Sequence, residues 1–124
     1  MAAKGRILVV DDEASVRTML KKLLTLHGYT VDAVNDGAQA VDQVQKNGYE
    51  LMILDRYMPV MDGLTAASII RSSPKFKNMK ILMLTGDSIT KDVDDSFEAG
   101  IDDYIVKPFV VKKLLEKIAQ VLLK

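Results

Sequence analysis

Short runs of apolar residues alternate along the chain with longer stretches in which apolar residues recur at helical spacing. Runs of four to six apolar residues indicate strands that are buried on both faces, as in a parallel sheet covered by helices. The predicted strands are residues 6–10, 30–34, 50–55, 79–84 and 103–106. Since crossovers between parallel strands are right-handed, the intervening helices should cover both faces of one sheet.

The helical stretches carry start and stop signals. Asp36-Gly37 and Asp62-Gly63 precede the second and third predicted helices, and Gly28 ends the first. The last helix has the clearest apolar face, made of Leu114, Leu115, Ile118, Val121 and Leu122. The fourth predicted helix, roughly 88–98, has a thin apolar face and several aspartates, which favours an element that can move.

The composition indicates one domain, residues 1–124, with its own apolar core. The absence of cysteine excludes disulfides and thiolate chemistry, and a zinc site would have to rest on one histidine plus carboxylates. A net charge of zero gives no reason to expect nucleic acid or an anionic membrane as a partner. No apolar run is long enough to span a bilayer, and none resembles a secretory signal, so we expect a soluble, cytoplasmic protein. We also expect a monomer or a weak dimer.

Charged residues stand where three of the predicted strands end. Asp11-Asp12 follows residues 7–10, Asp55 follows 51–54, and Lys107 follows 104–106. The carboxyl ends of parallel strands meet at one edge of a sheet, so these side chains should converge there. An Asp can also cap a helix or form a turn, and a lysine can simply be solvated. However, two adjacent acids repel each other unless a cation offsets them, and carboxylates without histidine or thiol suit Mg²⁺, with Mn²⁺ as the alternative.

The same edge carries groups that suit phosphoryl chemistry. A carboxylate beside a metal can attack phosphorus and form an acyl phosphate, which is the role open to Asp55. Thr85 ends the fourth predicted strand and is followed by Gly86, so its hydroxyl could donate to a phosphoryl oxygen. Lys107 could neutralise part of the acidic cluster and hold phosphate. The residues alone therefore predict a metal site, a phosphoryl site or both.

Four segments, in this order and at these separations, resemble the receiver domain of two-component response regulators. They are 7–13, 55–63, 85–86 and 102–109, with Met58-Pro59 and Met61-Asp62-Gly63 inside the second. The resemblance covers almost the whole chain. It implies a flavodoxin-like, doubly wound five-stranded parallel sheet in the order 2-1-3-4-5 with five flanking helices.

The resemblance also implies roles at the acidic edge. Asp55 is similar to the phosphoryl acceptor, which takes the group from a phosphohistidine on a histidine kinase or a histidine phosphotransfer protein. Asp12 is similar to a direct Mg²⁺ ligand, Asp11 lies close by and often acts through water, and the backbone carbonyl of Tyr57 completes the protein's share of the metal shell. Such a domain is a switch and catalyses only its own phosphorylation and dephosphorylation.

Further residues are similar to the family's switch. Thr85 and Lys107 would grip the phosphoryl oxygens, and Lys107-Pro108 is similar to the family's cis peptide bond. Tyr104 would turn inward as Thr85 moves toward the phosphate. The output would be read by an unidentified protein target on the face of the fourth predicted helix, the fifth strand and the last helix.

Some positions individualise the pattern. Arg56 stands where an aliphatic residue is usual, and either pairs with nearby acids or faces solvent. Gly86 replaces a common alanine and should open the site slightly. Tyr57 and Asp87 occupy positions that tune phosphoryl lifetime in the family, with Tyr57 expected to shield the site. His27 is expected only to end the first helix.

Three alternatives remain open. The chain could be a receiver from a multidomain regulator or a hybrid histidine kinase instead of a stand-alone domain. A metal-dependent aspartyl phosphatase would usually place a second Asp two residues after the nucleophile, where this chain has Tyr57. A degenerate receiver could serve as an interaction module, although every acidic and basic residue of the site is present.

Overall fold

The computed structural model describes residues 5–86 and 99–123. The strands are β1 (Arg6–Val10), β2 (Thr30–Val34), β3 (Leu51–Asp55), β4 (Lys80–Thr85) and β5 (Asp103–Val106). The helices are α1 (Ala14–Leu26), α2 (Gly37–Lys46), α3 (Gly63–Arg71), a 3-10 turn (Pro74–Phe76) and the C-terminal helix (Val111–Leu123). The helix predicted at 88–98 and Asp87 lie outside the described residues.

All five strands are parallel, and the sheet order is β2-β1-β3-β4-β5. This confirms the predicted fold class, with four of the five predicted helices found within the described ranges. β3 is buried along its whole length, as expected for a central strand covered on both faces. The order places β1 beside β3, with Val10 opposite Leu54, so the residues that follow these two strands are neighbours.

The sheet separates two apolar cores. One core contains buried residues of α2 and α3 together with alternate strand residues such as Met52 and Leu54. The other contains Leu20 and Leu24 of α1, buried residues of the C-terminal helix, and the strand residues of opposite parity, such as Ile53. Successive side chains of a strand point to opposite faces, so each strand contributes to both cores. No helix in the described ranges is long and apolar enough to cross a membrane.

Sequence-predicted signals set the helix ends. The carboxylates of Asp36 and Asp62 each accept a hydrogen bond from the backbone N–H three residues later, at 2.8 Å, and so cap α2 and α3. His27 is the C-cap residue that follows α1, and its Nδ1 lies 2.9 Å from the Leu23 carbonyl oxygen. Gly28 comes next, with a φ of +96°. The caps at Asp36 and Asp62 fix where two loops at the acidic edge end, whereas α1 ends at the opposite edge of the sheet, before β2.

Arg71 joins the end of α3 to the residues before β5. Its guanidinium donates to the carbonyl oxygens of Gly100 and Phe76, at 2.9 and 2.7 Å, and to the Asp102 carboxylate at 2.9 Å. Asp102 also accepts from the Ile81 N–H at 2.7 Å, at the start of β4. We call Arg71, Gly100 and Asp102 the arginine clamp, since it ties α3, β4 and the entrance to β5 together.

Candidate functional site

Three carboxylates meet at the carboxyl edge of the sheet. Asp11, Asp12 and Asp55 each offer one oxygen, and these oxygens lie within 4.8 Å of one another. Asp11 is fully buried, Asp55 is nearly so, and Asp12 is exposed. The pairing of β1 with β3 brings them together, because Asp11 and Asp12 are the two residues after β1 and Asp55 ends β3. The predicted convergence of acids far apart in sequence is therefore present in the structure.

Lys107 completes the cluster from the end of β5. Its Nζ lies 3.1 Å from Asp11 Oδ2 and 3.3 Å from Asp55 Oδ1. Its backbone N–H donates to the Thr85 carbonyl oxygen at 2.6 Å, which fixes the exit of β5 against the end of β4. The Lys107-Pro108 peptide bond is cis. One ammonium thus contacts two of the three acids, and the cluster keeps an excess of negative charge.

Asp11 is held by backbone as well as by Lys107. Its N–H donates to the Val34 carbonyl oxygen at 3.2 Å, and its Oδ1 accepts from the Glu13 N–H at 2.9 Å. The guanidinium of Arg17 donates to its carbonyl oxygen at 2.7 Å. The residue before α1 is Glu13, so neither Asp11 nor Asp12 is the helix N-cap and that interpretation of the pair is wrong. The contact from Arg17 had no signal in the sequence beyond helical position.

The cluster perturbs its own ionisation. Burial, followed by the negative charge of Asp11, raises the pKa of Asp55 from 3.8 to about 6, while Lys107 acts in the opposite direction. Burial alone would lower the pKa of Lys107, but the hydrogen bond to Asp11 and the charges of Asp55 and Asp11 outweigh it, so that pKa is raised. Lys107 therefore stays protonated, and Asp55 is an anion held at an electrostatic cost that a divalent cation would relieve.

Thr85 and Tyr104 lie beside the cluster. Thr85 is the last residue of β4 and is buried, one residue beyond the position opposite Asp55. Tyr104 pairs with Met83 of β4 and packs against the core under α2 and α3. The Nζ of Lys117 lies 6.0 Å from the centroid of the Tyr104 ring. A Cβ built on Gly86 would meet none of the described atoms within 4 Å.

The side chain of Arg56 is buried, with 8% of the residue exposed. The alternative that it faces solvent is wrong, and its guanidinium carbon lies 5.1 Å from the centroid of the Tyr57 ring. Tyr57 itself is 56% exposed, at the surface next to Asp55. An arginine after a buried strand gives no sequence signal that it will fold back under a neighbouring ring.

The loop between β3 and α3 turns sharply over this region. Val60 has a φ of +69°, and the N–H of Met61 donates to the Pro59 carbonyl oxygen at 2.7 Å across it. The Met61 carbonyl oxygen accepts from the Gly37 N–H at 3.2 Å, so the start of α2 holds the turn in place. A β-branched residue rarely adopts positive φ, and such strain is found mostly near functional sites.

A hollow of about 650 Å³ opens at the other end of the strands, around Tyr49, Phe76 and Met79. It shares no residue with the acidic cluster. The size of that hollow is therefore no guide to where the chemistry lies. Its lining contains lysines, amides, apolar residues and a single acid, Glu50, and so lacks the convergent acids that distinguish the other edge.

Response regulators and receiver domains are similar to this chain in sequence and in fold. A response regulator MprA from Mycobacterium leprae is 39% identical over 118 residues, which is 94% of this chain and 50% of that protein. The chain thus spans about half the length of the curated relatives it matches. The chemotaxis response regulator CheY4 of Vibrio cholerae superposes with a TM-score of 0.90 at 32% identity, covering 98% of this chain and 99% of that one.

A third protein shows an ion in the corresponding fold. The receiver domain of the sensor histidine kinase PA1611 from Pseudomonas aeruginosa has a magnesium ion coordinated in its active site cleft. It superposes with a TM-score of 0.89 at 30% identity, covering 98% of this chain and all of that one (100%). A sequence model of the family described as the response regulator receiver domain matches residues 7–119. With the fold and the clustered acids already in place, the chain belongs to the response regulator receiver domain family.

Proposed function

We propose that this chain is one receiver domain, residues 1–124, which accepts a phosphoryl group on Asp55 and thereby switches its contacts with other proteins. One observation carries the proposal. A nearly buried carboxylate at the end of β3 lies 3.3 Å from the ammonium of Lys107 and within 4.8 Å of two further carboxylates. This arrangement provides a nucleophile, a group that can bind a phosphoryl oxygen, and ligands for a cation.

The donor set fits Mg²⁺, with Mn²⁺ as the alternative. The carboxylates of Asp12 and Asp55 and the backbone carbonyl of Tyr57 would hold it, with Asp11 close by. These are oxygen donors only, which hard divalent cations prefer. Lys107 offsets one of the three negative charges, so a divalent ion would bring the cluster to neutrality. When bound, the ion would supply compensation for the charge of the phosphoryl oxygens.

The protein's own groups account for the transfer. An oxygen of Asp55 attacks the phosphorus of a phosphohistidine, and the new P–O bond forms as the P–N bond breaks. The electron pair of that bond leaves with the imidazole nitrogen, which takes a proton from solvent. Lys107 exchanges its contact with Asp55 for one with a phosphoryl oxygen, and the Thr85 hydroxyl donates to another. With its pKa at about 6, Asp55 is ionised at neutral pH and available to attack.

The phosphoryl donor would be a histidine kinase or a histidine phosphotransfer protein, and the transfer would take place in the cytoplasm. The domain turns over no external substrate and acts as a two-state switch. Tyr104, which is two residues from the position opposite Thr85, would pass the change to the surface formed by β5 and the C-terminal helix. The downstream protein that reads this surface is unidentified.

The same geometry bears on the other candidates. An aspartyl phosphatase needs an acid or base near the nucleophile, and Tyr57 stands where the second Asp would be. A degenerate receiver would be expected to lack part of the cluster, whereas all three acids and the lysine are together here. The relatives are about twice as long as this chain, so a place within a longer regulator or hybrid kinase remains an alternative context.

The test is labelling by acetyl phosphate in Mg²⁺, with the added phosphoryl group detected by mass spectrometry. The parent protein should be labelled, Asp55→Asn should not, and Asp32→Asn serves as the matched control because Asp32 lies in β2 with Arg6 and Tyr49. Persistent labelling of Asp55→Asn, or an unlabelled parent, would refute the proposal. Steady turnover of a small phosphoester would favour the phosphatase.

A further inference from the structure

We propose that Arg56 is a positioning residue that holds the Tyr57 ring at the mouth of the acidic site, and so limits the access of water to phosphorylated Asp55. The inference rests on the proposed function, which it extends to the lifetime of the phosphoryl group. Arg56 stands where an aliphatic side chain is expected. Its charged side chain is nevertheless buried and lies against Tyr57.

The backbone of Arg56 is fixed on both sides. Its N–H donates to the Leu84 carbonyl oxygen at 2.9 Å, and its carbonyl oxygen accepts from the Gly63 N–H at 2.8 Å. Gly63 packs so closely that a Cβ there would meet the Asp55 carbonyl oxygen and Arg56 Cα. The first residue after the proposed acceptor is thus locked between β4 and the start of α3. Because the side chain of Arg56 is also buried, its guanidinium has little room to move and can support a neighbouring ring.

Tyr57 needs such a support. It follows Arg56 directly, and with 56% of the residue exposed its ring would sample several rotamers unless a contact selected one. The guanidinium carbon of Arg56 is 5.1 Å from the ring centroid, within the range of a cation–π contact. Such a contact at an exposed site biases the ring by about two- to fivefold toward one position. This bias sets the size of the expected effect.

The alternative is that Arg56 acts on Asp55 directly through its charge. The ion pair that the structure shows at the Asp55 carboxylate is with Lys107, whose Nζ lies 3.3 Å from Asp55 Oδ1. The guanidinium carbon of Arg56 lies 5.1 Å from the centroid of the Tyr57 ring, which gives Arg56 a route to act through that ring. The effect of Arg56 should therefore depend on the ring of Tyr57 being present.

A double-mutant cycle tests this dependence. Arg56→Leu restores an aliphatic side chain and should speed the loss of the phosphoryl group by about two- to fivefold, since the freed ring admits water. The same substitution in a Tyr57→Leu background should have little further effect. An unchanged or slower decay in Arg56→Leu, or an equal acceleration in both backgrounds, would overturn the inference. Arg56→Met, which keeps a long side chain and loses the charge and the cation–π contact, should resemble Arg56→Leu and serves if the leucine variant does not fold.

A second cation–aromatic pair of adjacent residues provides the matched control. Lys75 Nζ lies 5.5 Å from the Phe76 ring centroid, near the hollow at the other end of the sheet. Lys75→Leu should leave the decay rate unchanged, whereas an acceleration like that of Arg56→Leu would show that the effect is not local.

The ring signals of Tyr57 separate failure of the inference from failure of the proposed function. In the unphosphorylated protein, Arg56→Leu should shift the Tyr57 ring resonances in NMR spectra and increase the mobility of that ring. An unlabelled parent would refute the proposed function alone. Unshifted Tyr57 resonances would overturn the positioning role whether or not the protein is phosphorylated.

Discussion

Replacing Asp55 with asparagine should stabilise the metal-free protein at neutral and alkaline pH, although it removes the proposed phosphoryl acceptor. The Asp55 carboxylate is buried beside the negative charge of Asp11, and these two effects outweigh the attraction of Lys107. An amide of the same shape carries no charge, so it avoids both the desolvation and the repulsion. A charge retained at a cost to stability is expected where function requires it.

The magnitude follows from the two pKa values of Asp55. In the folded protein its pKa is about 6, and its ordinary value is 3.8. The folded state therefore binds more protons between these values, so the free energy of unfolding falls as pH rises through this window. A difference of about two pH units corresponds to about 3 kcal/mol, fully expressed above pH 7. The loss of the contact with Lys107 is already contained in this net value.

Thermal unfolding of the parent and Asp55→Asn, in buffer with a chelator from pH 4 to pH 8, measures this difference. A domain of this length shifts in Tm by roughly 4 °C for each kcal/mol, so we expect a gain of about 12 °C at pH 8. The gain should shrink as pH falls and be nearly absent at pH 4.

Asp32→Asn is the matched control with the opposite sign. The hydrogen bond from Tyr49, aided by Arg6, lowers the pKa of Asp32 despite partial burial. Its carboxylate therefore contributes stability above its ordinary pKa, and this stability is lost as pH falls through the lowered value. Asp32→Asn should thus lower Tm at pH 8. A Tm of Asp55→Asn below that of the parent at pH 8, or an advantage that grows toward acid pH, would show that the Asp55 charge does not destabilise the folded protein.

Three further predictions concern single residues. Gly100→Ala should destabilise the protein by about 1–3 kcal/mol in urea unfolding, because its φ is +88° and the new Cβ would meet the Arg71 side chain. Gly48→Ala is the control and should be nearly neutral, since a Cβ there would meet no described atom within 4 Å. Val60→Gly should stabilise by about 1 kcal/mol by removing a β-branched residue from a φ of +69°, and a loss of stability in urea would contradict the strain. Lys107→Met should raise the pKa of Asp55 above about 6 in a carboxyl ¹³C NMR titration of the metal-free protein, and an unchanged or lower value would contradict the role of its ammonium.

The strands and the convergence of the acids could be predicted because both depend on local pattern. Asp55 follows a run of apolar residues that forms the fully buried β3, and a parallel sheet brings such ends together whatever the intervening loops. The caps at Asp36 and Asp62 also follow local chemistry, since a carboxylate before a helix has a free N–H to accept from. β4 begins and ends one residue later than its predicted range, so that Thr85 is its last residue.

What could not be predicted depends on contacts between distant segments. Arg56 is buried because Leu84 and Gly63 fix its backbone, and neither contact is encoded near Arg56 itself. The arginine clamp joins Arg71 to Gly100 and Asp102 across about thirty residues, and only the completed fold brings these groups to hydrogen-bonding distance. The positive φ of Val60 follows from the anchoring of Met61 by Gly37, which a sequence pattern of Pro, Val and Met does not indicate.

The separation of the two cores by the sheet has a consequence for any ligand at the acidic edge. The alternation of side chains gives Asp55 and Lys107 the parity of the core under α1 and the C-terminal helix, while Thr85 has the parity of the core under α2 and α3. A group that contacts both Lys107 and Thr85 would therefore connect the two layers through side chains at the acidic edge. That double contact would restrict the motion of the two helical layers relative to each other. The restriction would extend to both sides of the sheet and not only to the edge where the ligand binds.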